Sequence, residues 1–372
     1  MKILHIIPTL TKGGAERLVL DIIKEISTKD TIEARLVIFR NDVEHNISEI
    51  KELISVIPSS VQLSLMKKWK VNVSDLQNFL GNFQPDIIHT HLFEAELVSR
   101  FCIYPKAKWF SHVHDNMVQL KNWSWSSITK KNITNWYEKQ ILIKKYKKNG
   151  GTHFIAIAKH SEAYMKLVQQ QYPITLLHNA INVKRFVKTG NYSMSPSNSS
   201  SHTLNLINIG SFAPKKNQTF ILDIILELNK RGQKVNCIFL GDGLLKQKEI
   251  NRAKQLKIFD QCEFKGNVED VEEFLWLSDL YVHTATYEPL GLVLIEAMAA
   301  GLPVVTLDGR GNRDLMRNGD NGYIIEKQDA SLFAEKIILA STNRIMSNFS
   351  INFSKQFNIQ SYCEKLLKLY QV

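Results

Sequence analysis

A chain of 372 residues exceeds the size at which a single hydrophobic core keeps growing, so two domains of ordinary size are expected. With 44% hydrophobic and 22% charged residues, the composition is that of a soluble globular protein and excludes a disordered, collagen-like or coiled-coil chain. The net charge of +11 favours a polyanionic partner, whether nucleic acid, anionic lipid or phosphorylated substrate, without choosing among them.

The opening run Lys2–Ile7 ends at Pro8, too short for a signal-peptide core, and predicts a buried strand. A helix over 15–27 follows, then A-R-L-V-I-F, a helix over 73–82, and D-I-I-H-T-H, W-F-S-H-V-H, H-F-I-A-I-A and L-L-H-N-A-I. Such alternation argues for a parallel sheet with helical crossovers over 1–188. The basic runs Lys67–Lys70 and Lys144–Lys148, each interleaved with one aromatic, read either as a solvated face or as a patch for an anionic membrane surface. No nucleic-acid-binding motif accompanies them, so no nucleic-acid partner is expected. The Ser- and Asn-rich stretch 189–203 reads as a linker.

The second half, 204–354, restarts the alternation with L-N-L-I-N-I-G, a helix over about 218–231, V-N-C-I-F-L-G-D-G, a helix over about 244–256, and C-E-F-K-G. D-V-E-E-F-L-W-L-S, L-Y-V-H-T-A, L-V-L-I-E-A-M-A-A-G and P-V-V-T-L continue it, predicting a second doubly wound α/β unit. The apolar stretch 290–307 carries Glu296 and Pro303, so it reads as a helix then a strand and not as a membrane span. A closing helix, about 355–372, is able to pack back on the first domain or on the second. Cys102, Cys237, Cys262 and Cys363 lie far apart without C-x-x-C spacing, which suggests neither a disulfide framework nor a zinc site and fits a reducing cytoplasm.

In open α/β sheets ligands sit beyond the carboxyl ends of the strands, and two such domains facing each other make a cleft. Chemistry is therefore expected in the loops after Ile7, Thr90, Val113, Ile209, Leu240 and Ala285. The most informative segment is Tyr287–Val305, in which seven residues separate Glu288 from Glu296. Pro289 suits a first helical turn, and the amides of Gly291, Leu292 and Val293 would then face an anion, a phosphate being the obvious guest. Glu296 is costly to bury unpaired, so it should face a polar ligand such as a ribose diol. Taken singly, Glu288 reads equally as a helix-terminal residue stabilised by the dipole, and Glu296 as a surface residue.

Together these residues resemble the E-x7-E motif of the retaining glycosyltransferases of the GT-B fold, family 4 (glycosyl transferases group 1), many of which build bacterial capsule, exopolysaccharide or lipopolysaccharide. The resemblance covers nearly the whole chain. Gly13-Gly14-Ala15-Glu16 is similar to the family's first glycine loop, and Pro85–His91 and His112–Asn116 to its next two active-site loops. Ile209–Gln218 resembles the loop opening the donor domain, with Gly241–Gly243, Gly266–Val271 and Gly311–Tyr323 as later landmarks. No G-x-G-x-x-G follows the first strand, which weakens a dinucleotide reading.

The resemblance implies an α/β, GT-B fold: two Rossmann-like domains facing each other across a deep cleft, the first binding an acceptor and the second a nucleotide sugar. It implies a hexosyltransferase using a nucleoside-diphosphate sugar and a lipid-linked or saccharide acceptor, cytoplasmic or peripheral on the inner face of the plasma membrane. His114, Lys216 and Glu288 are the implied catalytic residues. Donor contacts fall on Gly13, Gly14, Ser211, Lys216, Glu288, Pro289, Leu290, Gly291, Leu292, Val293 and Glu296, with Lys216 on the diphosphate, Glu288 on the sugar hydroxyls and Glu296 on the ribose. Glu16, His91, His112 and Asp115 are acceptor-side candidates, and His112 rivals His114 because residues two apart on a strand share a face. No cofactor and no metal are implied, since the family neutralises diphosphate with lysine and helix dipoles. The chain departs from the pattern at Ser211, where the family usually has Arg after the loop glycine, leaving Lys215 as an alternative cation. A nucleotide-sugar epimerase, a phosphorylase of related fold and a non-catalytic nucleotide-sugar-binding subunit are the competing readings.

Overall fold

The structure, a computed structural model, describes residues 1–121, 129–188 and 203–371. It divides into two compact units, Met1–Ala180 with the C-terminal segment from Ile359, and Ile181–Asn358.

The first unit holds a sheet of strands β1 (Lys2–Ile7), β2 (Glu33–Ile38), β3 (Ile54–Val56), β6 (Ile87–His91), β7 (Lys108–Val113), β8 (His153–Ala156) and β9 (Ile174–Leu176), in the order β3-β2-β1-β6-β7-β8-β9. Neighbouring strands are parallel throughout. A separate hairpin pairs β4 (Ser60–Gln62) with β5 (Lys70–Asn72). The strands read as near-continuous apolar runs because helices cover both faces of a parallel sheet. Helix Gly14–Ile26 buries Leu18, Val19, Ile22, Ile23 and Ile26, a stripe at helical spacing, against Ile3, Ile7 and Leu36.

The C-terminal helix, Ile359–Gln371, buries Ile359, Tyr362, Cys363, Leu366 and Tyr370 in that same cluster, so it belongs to the first unit. The second unit contains β10 (Leu204–Ile209), β11 (Val235–Leu240), β12 (Cys262–Gly266), β13 (Leu280–His283), β14 (Val304–Leu307) and β15 (Gly322–Ile325), in the order β12-β11-β10-β13-β14-β15 and again parallel. Both sheets reverse strand order beside their first strand, at β1/β6 and at β10/β13, and that crossover is where open α/β sheets hold ligands.

The expected boundary at 188 falls instead after Ala180. Short helix Val183–Phe186 is tied into the second unit by Arg185 Nε to Glu272 (2.9 Å), Lys188 Nζ to the Trp276 carbonyl (2.8 Å) and Trp276 Nε1 to the Phe186 carbonyl (2.8 Å). The linker expected over 189–203 lies outside the described residues apart from Thr203. The four cysteines are buried and free, and among the described residues no helix is long and apolar enough to cross a membrane.

Candidate functional site

In the second unit the loop after β10 is stitched to the end of β13. The Thr286 amide donates to the Lys215 carbonyl (2.9 Å), and the single proton of the Thr284 hydroxyl is shared between the carbonyls of Asn217 (2.9 Å) and Lys216 (3.1 Å). Asn217 takes a left-handed φ of 53°, a conformation that Asn tolerates and most residues resist. This turn directs Lys216 back over Gly210, where its Nζ lies 2.5 Å from Glu288 Oε2. His283 Nε2 lies 3.2 Å from the same oxygen, and His283 Nδ1 lies 3.2 Å from the Tyr281 hydroxyl.

Burial opposes ionisation of Glu288, but the contact with His283 and the Lys216 charge outweigh it and hold the carboxyl down at about 2. Burial lowers the His283 imidazole below its ordinary range despite Glu288, so it is neutral at neutral pH. The cluster therefore pairs one ammonium with one carboxylate over a neutral imidazole. Glu296, half-buried about one turn along the next helix, acts on the same group: burial raises the Tyr281 hydroxyl, and Glu288 and then Glu296 raise it further.

The helix itself departs from expectation. It spans Leu292–Ala299 with Gly291 as its cap, so Pro289 is not in its first turn. Backbone pairing of Glu288 with the loop at 309–311 (Glu288 amide to Gly309 carbonyl 2.8 Å, Gly311 amide to Glu288 carbonyl 3.0 Å) keeps the chain extended, and Gly291, at φ 88°, makes the turn into the helix. The first-turn amides of Leu292 and Val293 still lack intrahelical partners by geometry. Leu290 is buried in packing, while Ser211 is exposed with its carbonyl accepting from Gln218 Nε2 at 3.0 Å.

In the first unit five histidines line the crossover: His5 on β1, His89 and His91 on β6, His112 on β7, and His114 just after it. Register places His5 opposite His89 and His91 opposite His112. Ring nitrogens meet at 2.8 Å (His5 Nδ1 to His91 Nε2) and 3.0 Å (His91 Nδ1 to His114 Nε2), and His112 Nε2 lies 3.0 Å from Asn179 Oδ1. Burial lowers every member, His5 to about 3 and His112 to about 4, so all five are neutral imidazoles at neutral pH.

The triads His5/His89/His91 and His91/His112/His114 bring ligand-type nitrogens within 4.8 Å of one another. The 2.8 and 3.0 Å contacts are nevertheless shorter than the about 3.3 Å between two nitrogens on one tetrahedral zinc ion, so as arranged the array is hydrogen-bonded. Gly13 caps helix Gly14–Ile26, and a Cβ there would collide with the buried Glu16 carboxylate, whose pKa burial raises. Asp115 is exposed and accepts from the Asn116 amide at 2.6 Å.

His5, His283, Asn312 and Tyr370 escaped the sequence reading as site residues. Asn312 donates to Thr306 Oγ1 (2.7 Å) and the Leu307 carbonyl (2.8 Å) beneath the Glu288 loop. The available signal was a polar side chain in an otherwise apolar strand, which marks His5 and His283.

Residues 194–357 match the family model for glycosyl transferases group 1. The protein EpsD of Bacillus subtilis (strain 168) is 30% identical over 122 residues, 33% of this chain and about a third (32%) of its own length. The UDP-Gal:alpha-D-GlcNAc-diphosphoundecaprenol alpha-1,3-galactosyltransferase of Escherichia coli is 22% identical over 323 residues, 83% of this chain and 80% of its own. The crystal structure of Anabaena HepE in complex with UDP superposes with a TM-score of 0.78 at 20% identity, covering 100% of both chains. The fold is GT-B, and with the matched family model and relatives it defines a glycosyltransferase.

Proposed function

We propose that this glycosyltransferase moves a sugar, with retention, from a nucleoside-diphosphate donor to a lipid-linked or saccharide acceptor in bacterial surface polysaccharide biosynthesis. The observation that carries the reading is the Lys216–Glu288–His283 cluster at the β10/β13 crossover, beside the helix that starts at Leu292. When the sugar leaves, the bond from its anomeric carbon to the diphosphate oxygen breaks with the electron pair staying on the diphosphate, the acceptor oxygen bonds to the same face of that carbon, and its proton passes to the departing diphosphate oxygen. Charge grows on the diphosphate in the transition state, so a fixed ammonium and helix amides stabilise that state more than the bound donor. Lys216 serves the diphosphate, Glu288 the sugar hydroxyls and Glu296 the ribose, and no metal is required in this reading. His114, in the first unit, serves the reacting sugar or acceptor hydroxyls. The relative named for UDP-Gal and a diphosphoundecaprenol-linked acceptor supports this donor and acceptor class.

The first unit also supports peripheral attachment to the inner face of the plasma membrane. Leu65, Met66 and Trp69 are exposed in the β4–β5 hairpin among Lys67, Lys68 and Lys70, and Trp69 Nε1 donates to the Tyr137 hydroxyl (3.1 Å) on the helix Lys130–Lys148, which exposes Trp136. Exposed Trp with lysines suits an anionic bilayer surface. Tyr146 does not contribute, because it is buried against Phe154, Tyr172 and Arg100.

Thermal-shift screening against UDP-, GDP-, ADP- and dTDP-sugars tests the donor class. A ligand at 100 times its Kd stabilises by about 2.7 kcal/mol, and the absence of a shift with every nucleotide sugar would overturn the reading.

A further inference from the structure

We propose that Tyr370 and His5, acting through His91, are positioning residues that set the tautomer of His114, so that His114 donates its Nε2 proton inward and presents Nδ1 as an acceptor lone pair. The functional half of this inference rests on the role given to His114 above. The structural half stands on the hydrogen-bond geometry of the first unit.

Tyr370 is fully buried near the end of the C-terminal helix, with its hydroxyl 2.6 Å from His89 Nδ1 and 3.5 Å from His5 Nε2. A separation of 2.6 Å belongs to an O–H donor and is short for an N–H donor, so the phenol gives its proton to His89. A hydroxyl has one proton, which leaves its oxygen to accept from His5 Nε2–H. A neutral imidazole has one donor and one acceptor nitrogen, so every later link is determined. His5 Nδ1 accepts from His91 Nε2–H at 2.8 Å, and His91 Nδ1 accepts from His114 Nε2–H at 3.0 Å. His114 is then left with its lone pair on Nδ1.

The cost of this polarity falls on His89, whose Nε2 is buried without a hydrogen-bond partner. With the phenol proton given to His89, the opposite polarity would set the His5 Nε2 lone pair against the phenol oxygen at 3.5 Å and leave the same His89 nitrogen unpartnered. The short phenol contact decides the direction. Burial keeps all the rings neutral, so no positive charge interrupts the sequence of donors at neutral pH. An acceptor nitrogen suits a sugar or acceptor hydroxyl, which has a proton to give, whereas the reversed array would present an N–H. Packing holds the relay in register: His91 stacks on His89 (ring centroids 4.3 Å apart) and His112 on His114 (4.2 Å).

The test is long-range 1H–15N NMR on the full chain with 15N-histidine at pH 7, the His114 signals being assigned by their loss in His114→Gln. Wild type is expected to show His114 protonated at Nε2, and Tyr370→Phe, which removes one hydroxyl and little volume, to convert that single tautomer into a mixture. With the donor found by thermal shift, kcat in Tyr370→Phe should fall on the order of threefold to tenfold, the worth of one neutral hydrogen bond, with nucleotide affinity unchanged. If Tyr370→Phe fails to fold, His5→Gln cuts the same chain one link further in and carries the same expectation. A His114 protonated at Nδ1 in wild type, or an unchanged His114 tautomer in the folded variant, overturns the relay whatever the enzyme does. A changed tautomer with unchanged kcat upholds the relay and overturns the role assigned to His114.

Discussion

The ammonium of Lys216 and the imidazole of His283 converge on one carboxylate oxygen, Glu288 Oε2, at 2.5 and 3.2 Å. The two partners come from different strand ends, the lysine from the loop after β10 and the histidine from β13 itself, so the carboxylate is held from both sides of the sheet crossover. A diphosphate arriving there would compete with Glu288 for Lys216. The resting pair holds the lysine in place until that exchange.

Lys216→Ala should lower kcat by on the order of 10² to 10³, as for other lost transition-state donors. It also leaves a buried carboxylate beside a neutral imidazole, so stability should fall by about 1–3 kcal/mol, and adding Glu288→Gln should restore part of that loss. Lys215 is exposed and serves as the control. A Lys215→Ala change as damaging as Lys216→Ala would mean that the two lysines share the task. Ser211→Arg should partly rescue Lys216→Ala if its guanidinium reaches the phosphates.

Glu296→Ala should weaken binding of both free nucleotide and nucleotide sugar, whereas Glu288→Ala should mainly lower turnover with the sugar donor. Isothermal calorimetry with the nucleotide alone separates them. Equal losses of nucleotide affinity would show that the ribose and sugar roles are misassigned.

Stability should fall in two acid windows. The five histidines have folded pKa values below their ordinary 6.5, so the unfolded chain binds protons first. Their contribution is complete above that pH and is lost as pH drops from about 6.5 toward 3, with a slope of up to about 1.4 kcal/mol per pH unit for each ring. Glu288, held at about 2 against an ordinary 4.5, adds a loss confined to the interval between those values. Thermal melts across pH 4–7 should flatten in His5→Gln and not in Glu288→Gln; a flat wild-type profile there would contradict the burial of the array.

The protein should co-sediment with anionic vesicles at low salt and release as salt rises. Trp69→Ala should weaken the association by removing an exposed interfacial ring. Tyr146→Ala should instead destabilise the first unit, since that ring is packed inside it. Failure of the wild type to co-sediment would leave the lysine runs as ordinary solvated surface.

Two parallel sheets and the E-x7-E segment were legible in the chain because continuous apolar strand runs, helical stripes and a fixed spacing of carboxylates are properties of neighbouring residues. The helix start at Leu292 was not, since it depends on pairing of Glu288 with a loop some twenty residues further on. The same holds for Ala180 as the end of the first unit's main segment and for the inward turn of Tyr146. The stripe of helix Ile359–Gln371 announced a buried face, but only packing decided that this face lies on the first unit and brings the Tyr370 hydroxyl to His89. Local pattern determines which side of an element is apolar. Which distant side chain meets it, as His5 meets His91 and Lys216 meets Glu288, is decided by strand order and register, which join residues that the chain itself keeps far apart.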